Sequence, residues 1–268
     1  GLAALIALGI CREFKLGEMD PESADAVHIQ LEAMKLAFAD VHSHVSDPKF
    51  LEIPPEQFLD RAYLKRRAGE IDMKKAGAPE TGIPLKGGTV YLCSGDAEGM
   101  MVSFIQSNYA GFGSGVVVPG TGISLQNRGA NFVLTEGHPN QVAGNKRPFH
   151  TIIPGMICQN GKPKSAFGVM GGHMQAQGHV QMMVRVVTHR QNPQAASDAP
   201  RWHLTESGDL ALEAGFSEAT LASLKARGHT LKLHQPEHLF GGAQLIACLE
   251  DGYCGGSDHR KEGLAQGF

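Results

Sequence analysis

Residues 1–75 carry apolar side chains at the spacing of α-helices. Within residues 23–41 they recur every three or four positions, at Val27, Leu31, Met34, Phe38 and Val41. This spacing predicts an amphipathic helix. Asp20, Pro21 and Glu22, just ahead, are suited to its cap and first turn. A second helix is predicted to open at residues 54–56 (Pro-Pro-Glu) and to run to Leu64.

The chain opens with an apolar run, GLAALIALGI, at residues 1–10. We interpret this run as a buried helix rather than a secretory signal. No basic residues precede it, and residues 11–13 (Cys-Arg-Glu) stand where a signal would have a small-residue cleavage site. It is also too short to span a bilayer. Because there is no initiating Met, we expect the chain to be a fragment whose targeting signal, if any, lies upstream.

The helical spacing stops at residues 74–88. This stretch contains two prolines and several glycines and lacks periodic apolar residues, which predicts an exposed, flexible linker. The pattern then changes to that of strands. Residues 89–107 predict two strands around a turn at 95–99. A second hairpin is predicted around residues 159–162, which include Asn-Gly.

The remaining segments complete an α+β pattern. Residues 178–188 are apolar enough for a buried helix or strand, and residues 217–227 predict a helix with Ser217 as its cap and Gly228 as its stop. Short strands are predicted at 210–214, 243–249 and 253–254. Helices, then a linker, then strands with inserted helices are typical of α+β proteins.

Composition and charge narrow the functional classes. The chain has 268 residues, of which 42% are hydrophobic, and its net charge is −3. It carries no basic stripe, so nucleic acid is not an expected partner. Its five cysteines are scattered without a CxxC pair, which does not suggest a disulfide framework. A reducing, cytoplasmic compartment is favoured, but a periplasmic or secreted location stays open because one pair could still form.

Two common types of site find little support in the motifs. The 13 histidines include His42 with His44 and His173 with His179, but no HExxH or CxxC accompanies them, so no catalytic metal is predicted. The string Gly111-Phe-Gly-Ser-Gly115 does not join a strand to a helix, so no dinucleotide cofactor is predicted. We expect no cofactor of any kind.

Thr89 stands where the Pro/Gly-rich linker meets the first predicted strand. It is open to a plain interpretation as the first residue of a strand. It also fits a definite mechanism, because cleavage between Gly88 and Thr89 would give Thr89 a free α-amine beside its hydroxyl. One residue would then supply both nucleophile and general base. Spacing alone does not decide between these interpretations.

Longer strings resemble the gamma-glutamyltransferase family across essentially the whole chain. They lie at residues 23–40, 46–50, 112–127 (FGSGVVVPGTGISLQN), 145–154 (NKRPFHTIIP), 168–179 (GVMGGHMQAQGH), 198–202 and 255–263 (GGSDHRKEG). The resemblance implies a four-layer αββα N-terminal-nucleophile hydrolase sandwich made by self-cleavage. Residues 1–88 would be the end of the large subunit and residues 89–268 the small catalytic subunit.

The resemblance also assigns roles to single positions. Thr89 falls on the nucleophile, with Gly88–Thr89 as the cleaved bond, and Ser107 falls on a second hydroxyl that assists it. Gly171 and Gly172 fall on the glycines whose backbone N–H groups form the oxyanion hole. Glycine suits that role because no side chain blocks the amides from the developing charge.

The substrate-binding positions depart from the transpeptidase pattern. Tyr109 stands in place of an Asn, Arg128 in place of a neutral amide, and Asn131 in place of the acid that binds the donor's α-amine. His150 and Thr151 stand in place of a Ser-Ser pair that holds the α-carboxylate. These changes make the site more positive, which weakens the grip on an ammonium and favours a carboxylate.

The resemblance therefore implies a self-processing amidohydrolase or acyltransferase for gamma-glutamyl compounds such as glutathione, with hydrolysis favoured over transpeptidation. A cephalosporin (glutaryl) acylase-like amidase is the alternative, and a non-catalytic or unprocessed relative that keeps only the fold is another. The implied partners are a gamma-glutamyl small molecule and the rest of the large subunit, paired as a heterodimer after cleavage.

Overall fold

The computed structural model describes residues 1–78, 87–205 and 207–268. The α-helices of these residues are α1 (Leu2–Cys11), α2 (Ala24–His44), α3 (Pro55–Phe58), α4 (Arg61–Ala68), α5 (Met174–Met183), α6 (Pro193–Asp198) and α7 (Glu218–Ala226). The strands are β1 (Gly87–Gly95), β2 (Met101–Ala110), β3 (Gly155–Gln159), β4 (Lys162–Met170), β5 (Trp202–Leu204), β6 (Leu210–Leu212), β7 (Leu231–Lys232), β8 (Gly242–Cys248) and β9 (Tyr253–Ser257).

The strands form three sheets. β1 and β2 make an antiparallel hairpin, and β3, β4, β8 and β9 make an antiparallel sheet in the order β3-β4-β8-β9. β5 pairs with β6 antiparallel, and β6 pairs with β7 parallel. The mixture of helices with mainly antiparallel sheets is the α+β class that the sequence predicts.

The β1–β2 hairpin and α5 pack on opposite faces of β4. A Cβ added at Gly168 would lie 2.4 Å from the Tyr91 ring, so β1 lies directly against β4. A Cβ added to Gly178 of α5 would lie 2.4 Å from Val169. Because neighbouring strand residues point to opposite faces, the order across β4 is hairpin, sheet, helix.

Residues on either side of the Gly88–Thr89 bond share one apolar core. Ile6 of α1 and Leu31 of α2 are fully buried in the same cluster as Val180 of α5 and Leu224 of α7. Burial of such side chains stabilises a protein by about 1.5–3 kcal/mol each. The helices before the bond are therefore held by the part of the chain that follows it.

Several sequence predictions are confirmed. Residues 1–10 form a buried helix, α2 covers the predicted span, and α7 begins at a Ser217 cap whose side chain accepts a hydrogen bond from the Thr220 N–H. Asn160 and Gly161 turn between β3 and β4 with φ of 53° and 76°. Positive φ at both positions is what a tight Asn-Gly hairpin turn requires. Residues 178–188 prove to be helical.

Two helix boundaries differ from the prediction. The predicted helix from Pro54 to Leu64 is interrupted, because Asp60 accepts a hydrogen bond from the Tyr63 N–H and starts α4 as a separate helix. The cap of α2 is Ser23, whose Oγ accepts from the Ala26 N–H, rather than the residues ahead of it. A side-chain cap within an apolar repeat overrides the repeat locally.

Residues 74–78 of the predicted linker lie outside helices and strands, and most are exposed, but the structure differs from the prediction at Gly77 and at the boundary with β1. Gly77 is held by hydrogen bonds to α2: its N–H donates to Glu32 Oε2 at 2.9 Å and its carbonyl accepts from Lys35 Nζ at 2.9 Å. Gly87 and Gly88 already belong to β1. Residues 79–86 of the predicted linker lie outside the described residues.

Two further observations complete the description of the fold. In the described part of the chain, no helix combines the length and apolar character needed to cross a bilayer. The five cysteines are free thiols.

Candidate active site

Thr89 and Ser107 face each other across the β1–β2 hairpin. The pairing shifts at this point, since Gly88 pairs with Tyr109 and Thr89 pairs with Ser107. Asn108 is thus an extra residue in β2, which defines a β-bulge. The Thr89 hydroxyl donates to Ser107 Oγ at 3.2 Å. The bulge brings together the two hydroxyls that the sequence assigns to nucleophile and assistant.

Tyr109 adopts the strained backbone conformation that the bulge requires. Its φ is 77°, a region that side-chain-bearing residues rarely occupy. Its N–H donates to Ser107 Oγ at 2.9 Å, and its side chain is buried. Strain of this kind persists only where the surroundings enforce it, and it concentrates at functional sites.

Inter-sheet contacts place Thr89 near the C-terminal end of β4. Gly95 lies against the Tyr253 ring, and Tyr91 lies against Gly168. Tyr253 pairs with Cys248 of β8, which lies beside the start of β4. The end of β1 therefore lies near the start of β4, and the beginning of β1 lies near the end of β4. Thr89 is two residues before Tyr91 and therefore on the same face. Two residues beyond Gly168 on the same face of β4 is Met170, so Thr89 is expected beside Met170, just before Gly171.

Gly171 and Gly172 form the turn between β4 and α5. Their φ values are 118° and 62°, and their carbonyls accept from the N–H groups of Met174 and Gln175 at 3.1 Å. A Cβ on Gly171 would lie 3.2 Å from Gly241, whereas a Cβ on Gly172 would meet nothing within 4 Å. The turn thus needs glycine-like backbone at both positions and leaves open space beside Gly172.

Arg128 lies behind the hydroxyl pair and is only 3% exposed. Its Nη1 donates to Thr151 Oγ1 at 3.2 Å, and its Nη2 donates to the Ser107 carbonyl at 3.5 Å. Its guanidinium carbon lies 5.5 Å from the centre of the Tyr109 ring, a cation–π contact. Burial lowers the pKa of the guanidinium, while Tyr109 acts in the opposite direction. Three predicted binding residues therefore meet at this point: Tyr109, Arg128 and Thr151.

The other two predicted binding residues lie less centrally. Asn131 closes the same short 3₁₀ turn as Arg128, and its carbonyl accepts from Asn140 Nδ2 at 2.6 Å. Within the described residues, the buried Nδ2 of Asn131 has no hydrogen-bond partner. His150 is exposed, and its Nδ1 is 2.9 Å from the Pro148 carbonyl. No hydrogen bond between described residues joins either one to Arg128.

A cavity of about 290 Å³ adjoins the glycine turn. Its wall includes Gly172, Thr151 and His150 together with apolar side chains of α2, namely Phe38 and Val41. Thr89 is not part of the wall. Thr151, a hydrogen-bond partner of Arg128, and Gly172, at the end of β4, both belong to this wall.

Imidazoles near the cavity are held neutral. Burial, and then the proximity of His42, lowers the pKa of His173 to about 4. Burial, and then His173, lowers the pKa of His203 to about 4. At neutral pH these side chains add no positive charge beside Gly172.

Sequence reasoning missed the contact between Asp47 and residues 147–149. The Asp47 carboxylate accepts from the backbone N–H groups of Arg147 and Lys49 at 2.9 and 3.1 Å, and these hydrogen bonds lower its pKa. Residues of both segments line the cavity. The strings SDPKF and NKRPFH are recognisable in the sequence as separate family-like segments. Local spacing carries no information that two segments about 100 residues apart are in contact.

One group of buried residues has the donor types of a metal site. His28, Glu32 and His229 have ligand atoms within 4.8 Å of one another. Their polar atoms already have partners: His28 Nδ1 lies 2.8 Å from His229 Nε2, and Glu32 accepts from Lys35 at 2.8 Å. We interpret the group as a hydrogen-bonded clasp between α2 and the end of α7, because a buried ammonium beside the carboxylate disfavours a divalent cation.

Comparison with known proteins places the chain in a family. The gamma-glutamyltranspeptidase family model matches residues 1–268. The chain is 37% identical to the glutathione hydrolase-like YwrD proenzyme of Bacillus subtilis (strain 168) and to the oxamate amidohydrolase proenzyme of Klebsiella pneumoniae. Both alignments cover 100% of this chain and 52% of the relative.

A solved structure agrees closely with the fold. The crystal structure of cephalosporin acylase from Bacillus halodurans superposes with a TM-score of 0.91 at 44% identity, covering 100% of this chain and 49% of that one. The fold is that of the N-terminal-nucleophile hydrolases, which are enzymes. Within that class, the chain belongs to the gamma-glutamyltranspeptidase family. It spans about half the length of the curated relatives it matches.

Proposed function

We propose that this protein is a self-processing amidohydrolase in which Thr89 is the nucleophile. The observation that carries the proposal is the 3.2 Å hydrogen bond between the hydroxyls of Thr89 and Ser107, formed at a β-bulge. Cleavage between Gly88 and Thr89 gives residue 89 a free α-amine. Relatives named as proenzymes support such processing.

The reaction begins with attack of Thr89 Oγ1 on the amide carbonyl carbon, while the α-amine of Thr89 takes the hydroxyl proton. Ser107 holds the hydroxyl in place. The tetrahedral oxyanion is stabilised by the backbone N–H groups of Gly171 and Gly172, whose loss typically costs about 3–4 kcal/mol per donor. The proton then moves to the departing amine as the C–N bond breaks, and an ester on Thr89 is left.

Water resolves this ester. It adds to the carbonyl carbon, the α-amine again takes the proton, and the C–O bond to Thr89 breaks with return of that proton to Oγ1. The products are a carboxylic acid and the free enzyme. An acceptor amine in place of water would give transpeptidation instead.

We infer gamma-glutamyl compounds such as glutathione as substrates, with hydrolysis favoured over transfer. A cephalosporin (glutaryl) acylase-like activity is the second candidate, and the observation that favours it is Asn131. A neutral amide forms a weaker hydrogen bond with a substrate ammonium than a carboxylate does. The similarity to the cephalosporin acylase of Bacillus halodurans supports the same direction.

The two products of cleavage would stay together as a heterodimer. Residues 1–88 end the large subunit in this proposal, and residues 89–268 form the small one. Ile6 and Leu31 share a buried core with Val180 and Leu224. Cutting one bond in the hairpin region leaves that core intact.

The test is an amidase assay of the full-length protein with a gamma-glutamyl anilide and a glutaryl anilide, with and without glycylglycine. Thr89→Ala should abolish turnover of both, whereas Thr89→Ser should retain part of it because a hydroxyl and an amine remain on one residue. Unchanged turnover in Thr89→Ala would contradict the proposal. Absence of cleavage and of turnover in the wild type would favour a non-catalytic relative.

A further inference from the structure

Arg128 is a buried cation, and the part of the chain that the structure describes holds no carboxylate paired with it. Its side chain is 3% exposed. The ion pairs formed among residues 1–78, 87–205 and 207–268 do not include it. Its hydrogen-bond acceptors in that part of the chain are a neutral hydroxyl, Thr151, and a neutral carbonyl, Ser107. A buried charge is normally paired, because an unpaired one costs several kcal/mol.

Another buried arginine shows what pairing looks like in this protein. Arg201 is 0% exposed, and its Nη2 donates to the carboxylate of Asp258 at 2.5 Å. Among the described residues, the partners of the Arg128 guanidinium are the Tyr109 ring and the two neutral oxygens. The described neighbours thus hold the guanidinium in position without neutralising its charge.

Arg128 is connected to the proposed nucleophile through a single residue, Ser107. Its Nη2 contacts the carbonyl of Ser107, and Thr89 contacts the hydroxyl of that same residue. Thr151, its other acceptor, lines the cavity together with Gly172. Arg128 is therefore linked to the proposed nucleophile through Ser107 and to the cavity beside Gly172 through Thr151.

We propose that Arg128 binds a carboxylate of the acyl group, so that the preferred substrates are monoamides of short dicarboxylic acids. This inference rests on the proposed function and adds the substrate class. Arginine presents a planar fork of N–H donors that matches a carboxylate. Three methylenes place a carboxylate only about 5 Å from the amide carbonyl carbon. We therefore expect short acyl chains to suit a guanidinium that is linked to Thr89 through the single residue Ser107. An α-amine on the acyl group is not required.

The test uses the full-length protein and 4-nitroanilides of succinate, glutarate, adipate and suberate. Each is compared with the analogue whose distal carboxylate is a carboxamide. For succinyl or glutaryl, kcat/KM should exceed that of the analogue by about tenfold to a hundredfold, since hydrogen bonds between charged groups are the stronger ones. The ratio should approach one for suberyl.

Arg128→Met should bring the ratio to about one for every chain length while the analogues are still hydrolysed. Its Tm should stay within about 4 °C of wild type, because no ion pair is broken. Arg61→Met, an exposed arginine on α4, is the matched control and should leave the ratio unchanged. Retention of the ratio in Arg128→Met, or its loss in Arg147→Met alone, would overturn the proposal.

Failure of the proposed function is separable from failure of this inference. If no anilide is hydrolysed, the amidase proposal fails, and calorimetric binding of succinate and glutarate still tests Arg128. Wild type should bind them about tenfold more tightly than Arg128→Met does. Equal binding would show that Arg128 is not the carboxylate receptor.

Discussion

Substitutions of Gly172 distinguish an oxyanion-binding role of the glycine turn from a purely structural one. Gly172 has φ of 62° and open space where a Cβ would stand. Gly172→Asn is therefore compatible with the fold, since Asn tolerates this conformation, whereas Gly172→Val strains it. We expect Val to lower kcat by about a hundredfold or more, in steady-state assays with far-UV CD as the check on folding. Near wild-type kcat in the Val variant would mean that the turn is structural only.

Asn131 governs the second prediction at this scale. Asn131→Asp restores a carboxylate that can pair with the α-amine of a gamma-glutamyl donor, so kcat/KM for gamma-glutamyl relative to glutaryl anilide should rise about tenfold. Glycylglycine should stimulate the wild type little. Strong stimulation of the wild type, with no change of preference in the variant, would show that Asn131 lies outside the amine pocket.

The contacts of individual site residues could not be predicted from the sequence. Thr89, taken by its local sequence, is open to interpretation as an ordinary strand residue, and its role came from the family resemblance. Its structural context depends on a pairing with Ser107 eighteen positions away and on the bulge at Asn108. The Arg128–Thr151 contact spans 23 positions. Local periodicity carries no information about such contacts.

At the scale of elements, patterns with a local cause were predicted well. The Asn160–Gly161 hairpin and the Ser217 cap depend on the conformational preferences of one or two residues, and both are present. The predicted helix from Pro54 to Leu64 failed for a local reason too, because Asp60 caps a new helix inside the apolar repeat. The attachment of Gly77 to α2 is a long-range contact and had no sequence signal.

That attachment gives a prediction about stability. Lys35 and Glu32 form a buried ion pair at 2.8 Å, and both bond to the backbone of Gly77. Lys35→Met leaves the Glu32 carboxylate buried without its cation and should cost about 3–5 kcal/mol in urea unfolding. The double variant Glu32→Gln/Lys35→Met removes the charge and should lose less. A double variant less stable than Lys35→Met would contradict this account.

At the scale of the whole molecule, buried neutral histidines set the response to acid. The pKa values of His173, His179 and His203 are lowered to about 4, mainly by burial, from 6.5. Between pH 6.5 and 4 the unfolded chain binds protons that the folded chain does not, so stability falls as the pH falls. Each such histidine contributes up to about 1.4 kcal/mol per pH unit.

Urea unfolding at pH 7.5, 6 and 5 measures this dependence. His203→Asn should reduce the slope of unfolding free energy against pH by about one proton, whatever its effect on absolute stability. His259→Asn, which replaces a half-exposed histidine in the same way, is the matched control. A wild-type stability that does not change between pH 7.5 and 5 would show that these imidazoles are not buried as described.

The central claim is that Thr89 becomes the N-terminus of the catalytic subunit. Mass spectrometry of the full-length protein, denatured directly after purification, tests this claim most directly. We predict a fragment whose sequence starts Thr-Val-Tyr-Leu in the wild type, and a single uncut chain in Thr89→Ala. A wild-type chain that is uncut or cut elsewhere, or a Thr89→Ala chain that is still cut before residue 89, would contradict the account.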